Sequence, residues 1–433
     1  LKINYIQTID MVKMFLALVF FSISITIHAR TLIHAGYLFN AENGTIEPQM
    51  SIVIDQDRIT NVLEGYVNPE PDDIYLDLTG YYILPGLIDM HVHIEGESNP
   101  HSYIEPFTLN EADIAFRAVN YAKTTLLAGF TTIRDLGGTG VNTSIRKAID
   151  KGLVVGPRVY SAGKSIATTG GHADPTNGWK QDLMGDPGPD QGVINSIGEA
   201  RKAVRQRYKN GADVIKITAT GGVLSVAKSS SNPQFTIEEI KAICSTANDY
   251  GMHVAAHAHG DEGMRRAIIG GVKTIEHGTM MSEATMELMI KKNVYLVPTI
   301  TAGKAVSENA LIPHYYPEIV VPKALEVGPK IQSTFGKAYK KGVKIAFGTD
   351  AGVFTHGLNN KEFEYMVEAG MPAMEAIQSA TITNANILEN NKIGHIKVGN
   401  FADIIAVDGN PLKEIKVMSK VSFVMKNGVI YKK

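Results

Sequence analysis

Between residues 83 and 380 the chain alternates eight short apolar runs with eight amphipathic stretches, a pattern that few folds accept. The apolar runs lie at 83–93, 131–135, 158–164, 213–218, 253–257, 274–277, 295–298 and 344–349. Helical periodicity fills the gaps at 111–128, 144–151, 198–210, 237–250, 262–270, 282–292, 322–341 and 372–380. Strands covered on both faces read as continuous apolar runs. Eight strand–helix units are the number that closes a parallel barrel. The expected fold class is α/β, a (β/α)8 TIM barrel. A doubly wound open sheet is the competing arrangement, and it calls for a GxGxxG loop after an early strand. Gly137-Gly138-Thr139-Gly140 is glycine-rich but lacks that spacing, so it reads as a strand-to-helix loop.

The two ends of the chain read differently. Residues 32–38, 51–55 and 58–63 are β-rich and broken by Asn43-Gly44 and Gln56-Asp57. Residues 403–407 and 421–426 repeat the pattern, and Asn427-Gly428 turns into 429–432 as a hairpin. A small β-sandwich built from both ends, 30–83 and 395–433, is expected around a barrel spanning 84–394. Before it, Lys13 precedes the apolar run 14–27 and Ala29 follows. This is the layout of a cleavable export signal over 1–29, with Met11 as a candidate start. The run is short for a spanning helix. The expectation is an exported protein, periplasmic or extracellular, with no stable membrane association after removal of the signal.

Composition narrows the function. There are 42 basic and 44 acidic residues and no basic stripe with interleaved aromatics, which argues against nucleic acid as a partner. The single cysteine, Cys244, excludes an intrachain disulfide and reads as a small buried apolar residue. Of the 13 histidines, His91, His93, His172, His257, His259, His277 and His356 fall at or just past predicted strand ends. In a barrel of this kind, one face carries all those ends and the active site.

His91-Val92-His93 closes the first apolar run. Residues i and i+2 of a strand share a face, so both imidazoles can meet one metal ion. Lys216 lies inside Asp213-Val214-Ile215-Lys216-Ile217-Thr218, where a lone charge is costly and tends to be lost. A neutral amine there can capture CO2 as a carbamate, an anion with one oxygen for each of two metals. A lysine paired to a barrel carboxylate is the plainer reading. Asp350 leaves Ala346-Phe347-Gly348-Thr349 and can bind a metal through one oxygen and accept a proton through the other. Helix capping is its plainer role. His257 and His277 supply neutral imidazoles suited to zinc. His259 shares a face with His257 and reads as a supporting or substrate-binding residue. His172, after Thr168-Thr169-Gly170-Gly171, and His356, after Asp350, are candidates for holding a substrate carboxylate. Arg134 can do the same or pair with a barrel carboxylate, the favoured reading. Tyr315 and Tyr316 read as surface aromatics, with a loop over the site as the alternative.

The set His91-x-His93, Lys216, His257, His277 and Asp350 resembles the amidohydrolase superfamily, in its binuclear form with a carboxylated lysine. The resemblance extends to Leu84-Pro85-Gly86-Leu87-Ile88-Asp89 and to the closing Val398-Gly399-Asn400-Phe401-Ala402-Asp403, and so covers nearly all the chain after the leader. Arg134-Asp135-Leu136-Gly137-Gly138, Thr169-Gly170-Gly171-His172, His257-Ala258-His259-Gly260, Ile275-Glu276-His277-Gly278 and Gly348-Thr349-Asp350-Ala351-Gly352 are similar to the Xaa-Pro dipeptidase (prolidase-like) branch related to imidazolonepropionase. Lys216 counts against imidazolonepropionase itself and against the deaminases, which are not expected to use a bridging lysine on the fourth strand. The resemblance implies two divalent ions, zinc by default. One would be held by His91, His93, the Lys216 carbamate and Asp350, the other by the carbamate, His257 and His277. A metal-bridging hydroxide would attack the amide, with Asp350 as general base. The implied substrate is a small dipeptide, Xaa-Pro first, with other C-terminal residues, basic ones included, fitting the same scaffold. Hydrolysis of cyclic amides or imines, or of N-acyl amino acids, is the alternative, and a binding protein that has kept the fold without catalysis is a third reading. Homo-oligomers are ordinary for such barrels.

Overall fold

The computed structural model describes residues 29–180 and 182–433. The expected export signal, residues 1–29, lies outside the described residues except for Ala29. Among the described residues no helix is long and apolar enough to cross a membrane.

Both ends of the chain join one seven-stranded sheet. Its strands are β1 (Thr31–Asn40), β2 (Thr45–Asp55), β3 (Arg58–Glu64), β4 (Ile74–Pro85), β12 (Ile404–Val407), β13 (Val421–Lys426) and β14 (Val429–Lys432), in the order β14-β13-β12-β4-β1-β2-β3. β4 is the seam: it pairs in parallel with β1 and antiparallel with β12, which returns from the far end of the chain. Alternation puts Ile33, Ile52, Leu76, Ile404 and Phe423 into one buried cluster. The apolar run expected at 83–93 is cut at Gly86, whose N–H donates to the Asp403 carbonyl (2.8 Å). A Cβ on Gly86 would lie 2.2 Å from Thr131 Oγ1, so no larger residue fits where the sheet hands the chain on.

After Gly86 the strands run parallel. β5 (Leu87–Val92), β6 (Phe130–Asp135) and β7 (Arg158–Ser161) form one sheet in the order β5-β6-β7. β8 (Ile215–Thr218), β9 (Val254–Ala258), β10 (Thr274–His277) and β11 (Tyr295–Val297) form another in the order β11-β10-β9-β8. Backbone bonds join the two at both edges. On one side Ile166 N donates to Lys216 O (2.8 Å) and Thr218 N to Ile166 O (3.0 Å). On the other, residues 344–351 bond β11 through Ala346 N to Leu296 O (2.9 Å) and β5 through Met90 N to Phe347 O (3.0 Å). Hydrogen bonding thus passes through all seven parallel strands and segment 344–351 and returns to β5.

Eight expected helical stretches are present within a few residues, from Glu111–Leu127 to Ala373–Gln378. Among the described residues four more α-helices were not foreseen: Glu105–Thr108, Ile300–Asn309, Lys361–Glu368 and Asn384–Ile387. Ile300–Asn309 opens on a β-branched pair and holds a glycine, a weak helical signature. It is stabilised from outside, because the buried Glu362 carboxylate accepts from Ile300 N and Thr301 N (both 2.8 Å) at its start. Phe130, Phe347 and Phe363 stack between strands and helices with centroids 5.7 and 4.3 Å apart. Truncating the fully buried Phe347 to alanine is expected to cost about 3–5 kcal/mol, measured by denaturant unfolding. Cys244 sits in helix Ile237–Asp249, and burial pushes its thiol up to about 12, away from reactivity.

Candidate active site

The ends of the parallel strands surround a cavity of about 210 Å³. His91, His93, Lys216, His257, His277 and Asp350 all line it, as do His172 and His259. Five strand ends widely spaced in sequence therefore deliver one cluster. Asp350 Oδ1 lies 3.5 Å from His91 Nε2 and 3.3 Å from His93 Nε2, and Lys216 Nζ lies 3.3 Å from His91 Nε2. The rings of His257, His259 and His277 stand with centroids 4.7–4.9 Å apart.

Five of the six imidazoles lining the cavity are oriented by a partner behind them. His91 Nδ1 bonds Glu276 Oε2 (2.9 Å), His93 Nδ1 the Gly137 carbonyl (2.7 Å), and His277 Nδ1 Thr299 Oγ1 (2.7 Å). These bonds leave the Nε2 atoms facing the cluster. His257 is reversed: its Nε2 bonds the Gly221 carbonyl (3.0 Å), which turns Nδ1 inward. His259 Nδ1 bonds Thr279 Oγ1 (2.8 Å). Such partners fix tautomer and ring plane.

Glu276 and Asp89 are functional residues that motif reading missed. Glu276 is fully buried between His91 and Arg134, whose Nη2 lies 3.0 Å from its Oε1. This is the barrel carboxylate partner expected of Arg134, and it removes Arg134 as a substrate anchor. Asp89 is also fully buried and accepts from His91 N (3.0 Å), Thr349 Oγ1 (2.6 Å) and Asn359 Nδ2 (2.8 Å). It ties the strand bearing His91 to the segment bearing Asp350. Burial alone signalled Glu276: a carboxylate inside an apolar strand needs a cation. Glu276→Gln should weaken metal binding about 10–100-fold, read by chelator competition.

Backbone strain concentrates here. His277 (φ 72°), Thr299 (φ 53°) and Asp350 (φ 63°) are left-handed although none is glycine. For β-branched Thr299 this is costly, and such conformations persist where the surroundings over-determine them.

His356 does not join the cluster. Glycines at φ 112° (Gly352) and 91° (Gly357) fold it away beneath Tyr121, with ring centroids 4.7 Å apart. Thr125 Oγ1 (3.3 Å) and the Gly96 carbonyl (3.0 Å) engage both ring nitrogens. It has no free atom for a substrate, which corrects the reading of His356 as a substrate residue. His172 fits that role better: it lines the cavity, its Nδ1 is buried without a partner, and its ring sits 4.4 Å from His257. Tyr316 is buried against Val306 and Val327, so it is not a surface aromatic.

The sequence from Tyr82 to Tyr431 matches the amidohydrolase family model over residues 82–431. The chain belongs to the amidohydrolase family. A solved Xaa-Pro dipeptidase with methionine bound in its active site is 53% identical, with a TM-score of 0.91, covering 94% of this chain and 100% of that one. A prolidase solved with N-methylphosphonate-L-proline is 31% identical, with a TM-score of 0.86 and coverage of 94% and 100%. Ochratoxinase from Aspergillus niger is 32% identical over 431 residues, 93% of this chain and 86% of the fungal protein. This amidohydrolase is a hydrolytic enzyme acting on amide C–N bonds.

The site of this amidohydrolase suits divalent metal. His91, His277 and Asp350 offer ligand atoms within 4.8 Å of one another, as do His257, His259 and His277. Asp350 Oδ1 is buried with no hydrogen-bond donor, and it points where two unprotonated imidazole nitrogens also point. A cation between these three groups would satisfy all of them at once. The second group admits His259 beside His257 and His277. However, the His259 bond to Thr279 and its near-parallel stacking on His277 also fit a supporting role.

Burial sets the charge state. It pushes His93 down to about 4, His172 to about 3 and His259 to about 3, and holds His91, His257 and His277 well below the ordinary value. Neutral imidazole is the ligand form. The same burial pushes Lys216 down and Asp350 up, each to about 8. For depressed bases, the stability contribution is complete above the unfolded value of 6.5 and is lost as pH falls through the folded values. The raised Asp89 (about 6), Asp135 (about 7) and Glu362 (about 7) act in the opposite sense, losing stability as pH rises toward those values. The imidazoles are more numerous. The metal-free protein should therefore melt at progressively lower temperature between about pH 6.5 and pH 4, read by calorimetry.

Proposed function

We propose that this chain is a prolidase-like dipeptidase that hydrolyses Xaa-Pro and related dipeptides with two divalent ions, zinc in the first instance. In this reading the hydrogen-bonded circuit is a (β/α)8 barrel, flanked by a composite β-sandwich domain that the seven-stranded sheet from both termini would form by folding over itself. The supporting observation is the cavity that gathers His91, His93, Lys216, His257, His277 and Asp350 while leaving Lys216 buried with no carboxylate of the described residues within bonding distance. A carbamate formed on its neutral amine supplies the missing anion and faces both ligand groups. Likeness to the Xaa-Pro dipeptidase and to the prolidase supports the substrate class. Export of the mature enzyme to the periplasm or outside the cell is part of the proposal and rests on the leader sequence alone.

Two divalent ions bound there would lower the pKa of a water from about 15.7 toward ~7 and polarise a carbonyl. The protein groups do the rest. Asp350, whose buried Oδ1 has no hydrogen-bond donor, takes a proton at a carboxylate oxygen from the attacking water and returns it to the departing nitrogen. His172, which lines the cavity, offers a ring N–H to the substrate carboxylate. Val223, Leu224, Val306, Val327 and Ile331 wall the cavity and exclude water. Asp350 is the only acidic residue lining the cavity among the described residues, so nothing there neutralises a basic side chain. Dipeptides with lysine or arginine should thus be poorer substrates than those with leucine, methionine or proline. The test is a parallel screen of dipeptides, N-acyl amino acids and cyclic ureides. Fastest turnover of apolar dipeptides is expected; turnover confined to ring substrates contradicts the proposal.

A further inference from the structure

The segment between β8 and helix Ile237–Asp249 forms the roof of the cavity without regular secondary structure. Its ends are pinned together: Thr220 bridges Pro233, and Gly221 N donates to Asn232 O (3.1 Å). Residues 221–232 are thus a closed surface loop of the kind whose shape depends on internal ties. Three features of it touch the site. The Gly221 carbonyl orients His257. Gly222 packs on His172 so closely that a Cβ would lie 2.2 Å from the ring. Val223 and Leu224 line the cavity.

What holds the loop is a lysine from elsewhere. Lys323, in helix Val321–Lys341, is 6% exposed, and no carboxylate among the described residues pairs with it. Its Nζ donates to the carbonyls of Gly222 (3.1 Å), Ser225 (2.6 Å) and Ala227 (2.8 Å). An ammonium has three donors, and all three are spent on one loop. Buried lysines are ordinarily paired with an acid, so a buried charge held by backbone dipoles alone is a costly arrangement. The same helix continues into Val327, Gly328 and Ile331 of the cavity wall. Tyr103 adds one tie, its hydroxyl donating to Leu224 O (2.8 Å).

We propose that Lys323 is a positioning residue that docks loop 221–232 onto the helix forming the cavity wall. It fixes the distance between roof and wall, and through Gly222 the seat of His172. The roof is then a part of the substrate site assembled by a charge that never touches substrate.

The test compares wild type, Lys323→Met and Lys323→Arg as full-length, metal-loaded protein. Hydrogen exchange by mass spectrometry should show amides of 221–232 exchanging at least about tenfold faster in Lys323→Met, with the barrel strands unchanged. KM for the best dipeptide should rise about tenfold while kcat stays within about threefold, and Lys323→Arg should recover part of both. Unchanged exchange in the loop, faster exchange throughout the chain, or a fall in kcat with KM unmoved would overturn the proposal. Should Lys323→Met fail to fold, Tyr103→Phe removes one tie from the same loop. A smaller rise in exchange confined to 221–232 is then expected, and none would overturn it. The kinetic readout rests on the dipeptidase reading and the exchange readout does not, so absence of dipeptide turnover in wild type would refute that reading while exchange still decides the role of Lys323.

Discussion

Lys216→Ala should lower kcat/KM for amide hydrolysis by about 10³-fold or more, the equivalent of roughly 4 kcal/mol of transition-state stabilisation. Lys216 is 3% exposed, and its nearest bonded neighbour is His91 Nε2, a group that cannot supply an anion. A lysine kept only to neutralise a barrel carboxylate would sit against one. The barrel carboxylate Glu276 is already taken by Arg134 and His91. If Lys216 carries a carbamate, alanine removes an anion that both ligand groups share, and binding of both ions weakens together. Short carboxylic acids diffusing into the space left by the side chain should restore part of the activity, because they return an anion with two oxygens. The structural alternative predicts a different outcome: a drop in melting temperature with no rescue by carboxylic acids. Steady-state kinetics with and without added short-chain acid separate the two.

Asp350→Asn is the second large effect. General acid–base catalysis contributes about 10²–10⁴-fold, and an amide at this position cannot take the proton. The substitution preserves shape, so Asp350 N should keep its bond to His91 O (2.7 Å) and the strand closure should survive. The expected signature is a fall of kcat and kcat/KM together, by about 10²-fold or more, with a melting temperature near that of wild type. An equal loss of kcat in Asp89→Asn would assign the effect to placement of segment 344–351 instead. Asp89 holds Thr349 and the His91 backbone but does not line the cavity.

The parts of the fold and site legible in the sequence are those governed by local pattern. Apolar runs bounded by polar residues gave seven parallel strands, and the i, i+2 spacing at the end of β5 brought His91 and His93, the latter one residue past the strand, to the same Asp350 oxygen. The eighth run, 344–349, bonds both neighbours although Asp350, the next residue, turns left-handed at φ 63°. Glycine punctuation also had meaning, since Gly86 ends the terminal sheet where a side chain would collide with Thr131. Tertiary relations were not legible. Helix Ile300–Asn309 depends on the Glu362 carboxylate, 62 residues from Ile300, and no local propensity announces it. Position in sequence placed His356 next to Asp350, yet two left-handed glycines carry it beneath Tyr121. Glu276 stood in view beside His277 without showing its task, because its partners Arg134 and His91 come from other strands. Lys323 gave no signal, since its acceptors are backbone carbonyls that any sequence possesses.

The most direct measurement on the centre is elemental analysis of the chain purified without chelator and equilibrated with zinc, followed by assay. A binuclear site gives about two divalent ions per chain in wild type and substantially fewer in Lys216→Ala, with hydrolysis lost on chelation and restored by metal. Fewer than about one ion per chain in wild type, or the same metal content and dipeptide hydrolysis in Lys216→Ala, would contradict a two-metal amidohydrolase built on Lys216.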